Sequence, residues 1–163
     1  MREKKIWNFK YRGFDCEVVH WNYDKPWDGF PSGNWNGYIV VKKKQLPDRF
    51  AELLCKKKKT TYASMPWRWD SYKVESIFEM KCGVTFYQVI CDEFTGEKAA
   101  IKVGNDYQHL WNENHHYNEE DIVRDLKQSV DKFIERYPEY LVWNPHDGSY
   151  IKPTESDKEE REQ

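Results

Sequence analysis

The sequence lacks the features of a membrane protein, a secreted protein or a small metal-bound fold. None of its 163 residues belongs to an apolar run long enough to cross a bilayer. The first residues lead from a charged start into a mixed aromatic and polar segment, without the apolar core of a secretory signal peptide. The cysteines show no CxxC or other metal-ligand spacing, which favours reduced thiols packed in the fold: Cys16, Cys55, Cys82 and Cys91. We therefore expect a soluble protein of the cytoplasm that does not contact a membrane.

Neither sign of charge is in large excess, and the motifs of common enzyme classes are missing. A formal net charge of −2 and a pI near 6.2 provide no overall attraction to duplex nucleic acid. Positive charge is local, in lysine runs at 42–44 and 56–59, a pattern typical of solvated segments. The sequence contains neither a glycine-rich phosphate loop nor Gly-x-Ser-x-Gly. These absences favour a binding protein over an enzyme, and we assign no catalytic residue and no cofactor.

Aromatic residues, by contrast, are abundant. The chain has 8 Trp, 11 Tyr and 8 Phe, so that 17% of its residues carry an aromatic ring. Trp and Tyr are enriched in binding grooves and at protein interfaces. Trp is also seldom fully buried in an ordinary core. Two interpretations therefore stay open: some rings line a groove, or all of them fill a Trp-rich core.

Strand-forming segments occupy most of the first two thirds of the chain. Arg12-Gly13 is a short pair that permits a turn, which predicts an opening hairpin. A second hairpin is predicted around the turn at 94–97, between two β-branched and aromatic segments. The predicted strands are 5–11, 14–21, 35–41, 83–91 and 98–103.

One amphipathic helix is predicted near the end of the sequence. Asn118 is a favourable N-cap, acidic residues fill the first turn, and Pro138 ends the helix. Apolar residues recur at helical spacing on one face: Ile122, Leu126, Val130, Phe133, Ile134 and Tyr137. We therefore predict an α+β fold in two layers, in which a small antiparallel sheet packs against one long C-terminal helix. The expected single domain is 1–153, followed by a disordered charged tail at 154–163.

Three short segments follow one another along the chain: WNGYI at 35–39, GVTF at 83–86 and GNDYQH at 104–109. They resemble the corresponding elements of a widespread group of small bacteriophage and prophage proteins of uncharacterised function. That group also ends in an amphipathic helix. This sequence has polar Asn105 and Tyr107 where the group has an aromatic residue and a cysteine, so the resemblance does not transfer a ligand.

The resemblance implies an accessory protein of phage or prophage origin that acts in the host cytoplasm, with a counter-defence role. Combined with the many rings, it leads to the hypothesis of a non-enzymatic protein that sequesters a nucleotide-derived signal in an aromatic pocket. The expected ligand contacts are Trp35, Tyr38, Thr85, Asp106, His109 and Trp111.

Two other functions stay open at this point, as does a homo-oligomer. Exposed rings and an acidic tail would suit a protein–protein inhibitor of a host defence effector. Clustered carboxylates and imidazoles would suit a small metal-dependent hydrolase: Asp106, His109, Glu113, His115 and His116. Their spacing matches no established metal motif, which favours an ordinary polar loop.

Overall fold

The computed structural model describes residues 3–22, 34–48, 50, 78–81, 83–107, 117–138 and 141–153. Its strands are β1 (Glu3–Tyr11), β2 (Phe14–Asn22), β3 (Asn34–Lys42), β4 (Phe86–Cys91), β5 (Lys98–Asp106), β6 (Val142–Asn144) and β7 (Ser149–Ile151). The helix α1 spans Glu119–Arg136, and a 3-10 turn at Lys43–Gln45 follows β3.

Five strands form one antiparallel sheet in the order β1-β2-β3-β5-β4. The opening hairpin turns at Arg12 and Gly13, whose φ angles of 50° and 85° are both positive. This two-residue turn matches the right-handed twist of the strands that it joins. A Cβ atom on Gly13 would lie 2.0 Å from the Cβ of Ser149, so both the backbone angle and the packing require glycine there.

The sheet has two different faces because side chains alternate along each strand. On β3, Trp35, Ile39 and Val41 are buried, whereas Tyr38 and Lys42 are half-buried. The buried set lies on the side covered by α1, which we call the helix face. The other side, which carries Asn36, Tyr38, Val40 and Lys42 of β3, is called the open face.

The helix α1 begins with reciprocal hydrogen bonds between Asn118 and Asp121. The Asn118 side chain accepts from the Asp121 N–H at 3.0 Å, and the Asp121 carboxylate accepts from the Asn118 N–H at 3.0 Å. Gly37 lets the helix approach the sheet closely, because a Cβ atom there would lie 2.9 Å from Ile122. The helix stripe and the sheet thus share one core.

The predicted α+β fold, with an antiparallel sheet packed against one long helix, is confirmed. Strand β4 begins three residues later than predicted, after a turn in which Gly83 has a φ of 81°. Strand β5 continues to Asp106, because β3 extends far enough to pair Asn36 with it. No helix among the described residues is long and apolar enough to span a bilayer.

Some expectations fall on residues that the structure does not describe. They include the charged tail at 154–163 and residues 108–116, which carry the three clustered histidines. Phe78 and Met80 are buried, although residues 78–80 are not in a strand.

Candidate ligand-binding cleft

A cleft opens on the open face where β3, β4 and β5 meet at one end of the sheet. Its volume is ≈ 240 Å³, and its walls combine two rings with amide, hydroxyl and carboxylate groups. The lining residues are Asn34, Asn36, Tyr38, Thr85, Phe86, Asn105 and Asp106. They come from three segments that are far apart in sequence, so the register of the sheet creates the cleft.

Gly104 brings the two rings of the cleft together. It pairs with Tyr38 on one side and with Phe86 on the other. A Cβ atom on Gly104 would lie 2.2 Å from the Cδ1 atom of Tyr38, so the Tyr38 ring lies directly over the glycine. The Tyr38 and Phe86 rings meet edge to face, with centroids 5.1 Å apart and planes at 75°. A side chain at position 104 would separate them.

Thr85 and Asp106 are held together beside these rings. The Thr85 hydroxyl accepts a hydrogen bond from the Asp106 N–H at 2.9 Å, and the Thr85 N–H donates to the Gly104 carbonyl at 2.9 Å. These bonds fix the backbone from which the Asp106 carboxylate projects at the cleft. A carboxylate accepts hydrogen bonds and donates none, so this group favours a ligand that offers N–H or O–H donors.

The phenol of Tyr38 stays neutral at physiological pH. Burial, reinforced by the Glu17 carboxylate, raises the pKa of Tyr38 to about 12, and hydrogen bonding by Asn36 acts in the opposite direction. Lys102 places its Nζ atom 4.5 Å from the centroid of the Tyr38 ring and 3.2 Å from the Glu17 Oε1 atom. Tyr38 therefore supplies a neutral ring with a cation on one side.

Two amide oxygens of residues that line the cleft are acceptors for which the described residues provide no donor. Within the described part of the chain, neither Asn34 Oδ1 nor Asn105 Oδ1 has a hydrogen-bond partner, and both atoms are buried. The Asn105 side chain is anchored by its Nδ2 group, which donates to the carbonyl of Lys81. Asn34 shares the open face with Tyr38, whereas Asn105 pairs with Gly37 and therefore directs its side chain to the helix face. An unsatisfied buried acceptor costs about 1–3 kcal/mol, so a ligand donor that reached the Asn34 oxygen would recover part of that cost.

The structure brings three of the six predicted ligand contacts into this cleft, namely Tyr38, Thr85 and Asp106. Trp35 lies on the helix face instead, is 8% exposed, and stacks on His20 with a centroid distance of 4.0 Å. His109 and Trp111 lie outside the described residues. The Trp35 ring therefore supports the core and does not line the cleft.

Four of the lining residues are not among the ligand contacts predicted from the sequence: Asn34, Asn36, Phe86 and Asn105. A signal for Asn34 and Asn36 was present, because both lie at even spacing from Tyr38 and so share its face of the strand. Phe86 belongs to the GVTF segment, and only its pairing with Gly104 places it against Tyr38.

The metal alternative gains no support from the described residues. These residues contain no group of three or more His, Cys, Asp or Glu side chains placed to hold a metal ion. Of the five candidate ligands, Asp106 alone falls within them. Burial raises the pKa of Cys16 to about 12, which makes its thiol unreactive. Cys91 is a free, half-buried cysteine on β4.

The first lysine run lines a wider, shallower cleft of ≈ 820 Å³ at the opposite end of the open face. Three of its lysines already face carboxylates: Lys42 lies 3.6 Å from Asp15, Lys44 lies 3.1 Å from Asp147, and Lys152 lies 3.3 Å from Asp48. Much of its positive charge is therefore neutralised locally.

No protein-family model, curated protein or solved structure matches this chain. The cleft must therefore be interpreted from its own chemistry.

Proposed function

We propose that this protein binds the base of a nucleotide-like ligand in the cleft around Tyr38 and Phe86, and that it sequesters the ligand without changing it. The observation that carries the proposal is the pair of rings, edge to face at 5.1 Å, beside a set of fixed hydrogen-bonding groups. Stacking of a base on an aromatic side chain contributes about 1–3 kcal/mol.

The hydrogen-bonding groups favour particular bases. The Asp106 carboxylate and the amide oxygen of Asn34 are acceptors on the open face. Guanine offers two adjacent N–H groups on its base-pairing edge, whereas uracil offers one N–H between two carbonyl groups that a carboxylate would repel. Guanine should therefore bind best and uracil worst.

The size and charge of the cleft limit the rest of the ligand. A volume of ≈ 240 Å³ lies just below the range of about 300–1,000 Å³ that is usual for small-molecule pockets. It suits one base with its sugar, and a phosphate would extend along the open face. Lys102, which already lies over the Tyr38 ring, is the cation placed to meet that phosphate, in competition with Glu17.

The resemblance to small phage and prophage proteins supplies the biological setting of the proposal. A protein that binds a nucleotide-derived signal tightly in the host cytoplasm lowers its free concentration. No catalytic group is needed for this effect, only an affinity that matches the concentration of the signal. Counter-defence by sequestration is the form of the function that we propose.

Calorimetric titration with GMP, CMP, AMP and UMP tests the proposal. GMP should bind tightest, Tyr38→Ala should weaken GMP binding by about tenfold or more, and Asp106→Asn should reduce the preference for GMP over UMP. Phe94→Ala is the matched control, because that ring is 96% exposed at a hairpin turn away from the cleft. Equal affinities for wild type and Tyr38→Ala, or no binding of any of the four nucleotides, would refute the proposal.

A further inference from the structure

The outer edge of β1 is a second surface of interest, because no described strand pairs with its backbone groups. Strand β1 lies at the end of the sheet order β1-β2-β3-β5-β4, and over the described ranges no strand pairs with its outer side. The strand is nine residues long. A long free edge is a template for pairing with another strand.

The register of the hairpin shows which backbone groups face outward. Tyr11 and Phe14 flank a two-residue turn and so form a hydrogen-bonded pair. Bonded pairs recur at every second residue, so Phe9, Trp7 and Lys5 also bond to β2. The N–H and C=O groups of the alternate residues point away from the sheet: Lys4, Ile6, Asn8 and Lys10.

Each face of the sheet presents apolar side chains beside this edge, and the open face also carries Lys4, Asn8 and Lys10. On the helix face, Trp7, Phe9 and Tyr11 line a groove of ≈ 420 Å³ together with Glu119, Val123 and Lys127 of α1. On the open face, Ile6 is 46% exposed. An added strand would cover both.

We propose that the occupant of this edge is a second copy of the same chain, joined through antiparallel pairing of the two β1 strands. A twofold axis perpendicular to the sheet would place Ile6 opposite Ile6 of the second copy, and Lys4 opposite Asn8. The two sheets then continue as one, with both helices on the same side. Closed twofold dimers are the commonest form of homo-oligomer.

Several registers keep both helices on the same side of the joined sheet, and the charges of the facing side chains favour one of them. Centring the pair on Trp7 places Lys4 opposite Lys10, and centring it on Lys5 places two lysines opposite each other; both arrangements are destabilising. Centring it on Asn8 leaves Ile6 opposite Lys10. Among the residues of β1 that the structure describes, the register centred on Ile6 places no like charges opposite each other, and it joins the exposed Ile6 side chains.

The same register also suits the groove. It sets Lys5 of one copy opposite Trp7 of the other on the helix face. Trp7 and Glu119 both line the groove there, so the ammonium group meets a ring face and a carboxylate of opposite charge. Lys5 is exposed in the single chain.

Sedimentation velocity over a range of micromolar concentrations tests the dimer. Ile6→Lys places two like charges opposite each other at the axis and should raise the dissociation constant by about tenfold or more. Asn8→Pro should do the same, because it removes an N–H that points outward and leaves the ladder to β2 intact. Asn8→Ala, which keeps that N–H, is the matched control and should dimerise like wild type.

Amide hydrogen exchange locates the interface independently. In the dimer the Ile6 and Asn8 amides should exchange slowly, and in Ile6→Lys they should exchange fast, while Trp7 and Phe9 stay protected in both. A wild type that remains monomeric would overturn the proposal at any exchange rate of the Ile6 and Asn8 amides. Slow exchange in a monomer would mean that another part of the chain covers them. A dimer that survives Ile6→Lys with fast exchange at Ile6 and Asn8 would overturn it too, since another surface would then form the dimer. If Asn8→Pro does not fold, Ile6→Lys and the exchange rates still decide.

Discussion

Replacing Gly104 with alanine is the substitution that tests the architecture of the cleft most sharply. The new Cβ atom would lie 2.2 Å from Cδ1 of Tyr38, 2.7 Å from its Cε1 and 2.8 Å from the Gly37 carbonyl oxygen. The Tyr38 ring would have to swing away, which would break its edge-to-face contact with Phe86.

The change in the free energy of unfolding caused by Gly104→Ala has two contributions of opposite sign. Overpacking of a well-packed site costs about 1–3 kcal/mol, whereas exchange of glycine for alanine within a strand returns roughly 0.5–1 kcal/mol. The free energy of unfolding should therefore fall by up to about 2.5 kcal/mol. Binding of GMP should fall more strongly, because the displaced ring also loses its stacking position.

Urea unfolding of a double-mutant cycle with Tyr38→Ala is the appropriate assay. If the clash with the ring is the main cost, Gly104→Ala should be less destabilising when Tyr38 is already alanine. A coupling free energy of about 0.5 kcal/mol or more is expected for residues in direct contact. If Gly104→Ala lowers the free energy of unfolding equally in wild type and in Tyr38→Ala, the clash with the Tyr38 ring is not the reason that glycine is required.

Three further outcomes are expected from the hydrogen bonds and the buried phenol. Asn118→Ala removes the cap of α1 and should lower the free energy of unfolding by about 0.5–2 kcal/mol in urea, while Asn118→Asp should be nearly neutral. Thr85→Val removes the acceptor for the Asp106 N–H and should cost about 1 kcal/mol in the same assay, while Thr85→Ser should keep the bond. Because the pKa of Tyr38 is raised from 10.0 to about 12 in the folded protein, its stabilising contribution is complete below pH 10 and is lost as the pH rises toward 12. Between pH 10 and pH 12 the free energy of unfolding of Tyr38→Phe should consequently fall less steeply than that of wild type. Identical slopes of the free energy against pH would contradict the raised pKa of Tyr38.

Local signals were sufficient to predict most of the fold. The helix followed from the Asn118 cap, the apolar stripe and Pro138, because each of these acts within a few residues of the chain. The opening hairpin followed from Arg12-Gly13 for the same reason. The register between distant strands, such as the pairing of Gly104 with both Tyr38 and Phe86, depends on how the whole sheet packs.

The candidate site was accessible from the sequence only in part, although strand alternation alone separates two of the predicted ligand contacts. Trp35 and Tyr38 are three residues apart on one strand, so strand alternation alone sends their side chains to opposite faces. Tyr38 then lies on the open face with Asn36, and Trp35 lies in the core. That Thr85 and Asp106 meet beside Tyr38 follows from the long-range register and from no local pattern.

The most direct test of the central claim is a titration of the isotopically labelled protein with GMP, followed by two-dimensional proton–nitrogen NMR. Concentration-dependent shifts are expected at the amides of Tyr38, Thr85, Phe86 and Asp106, with little change on the far hairpin around Phe94. An unchanged spectrum at saturating GMP, or shifts confined to another surface, would contradict the assignment of this cleft as a nucleotide-binding site.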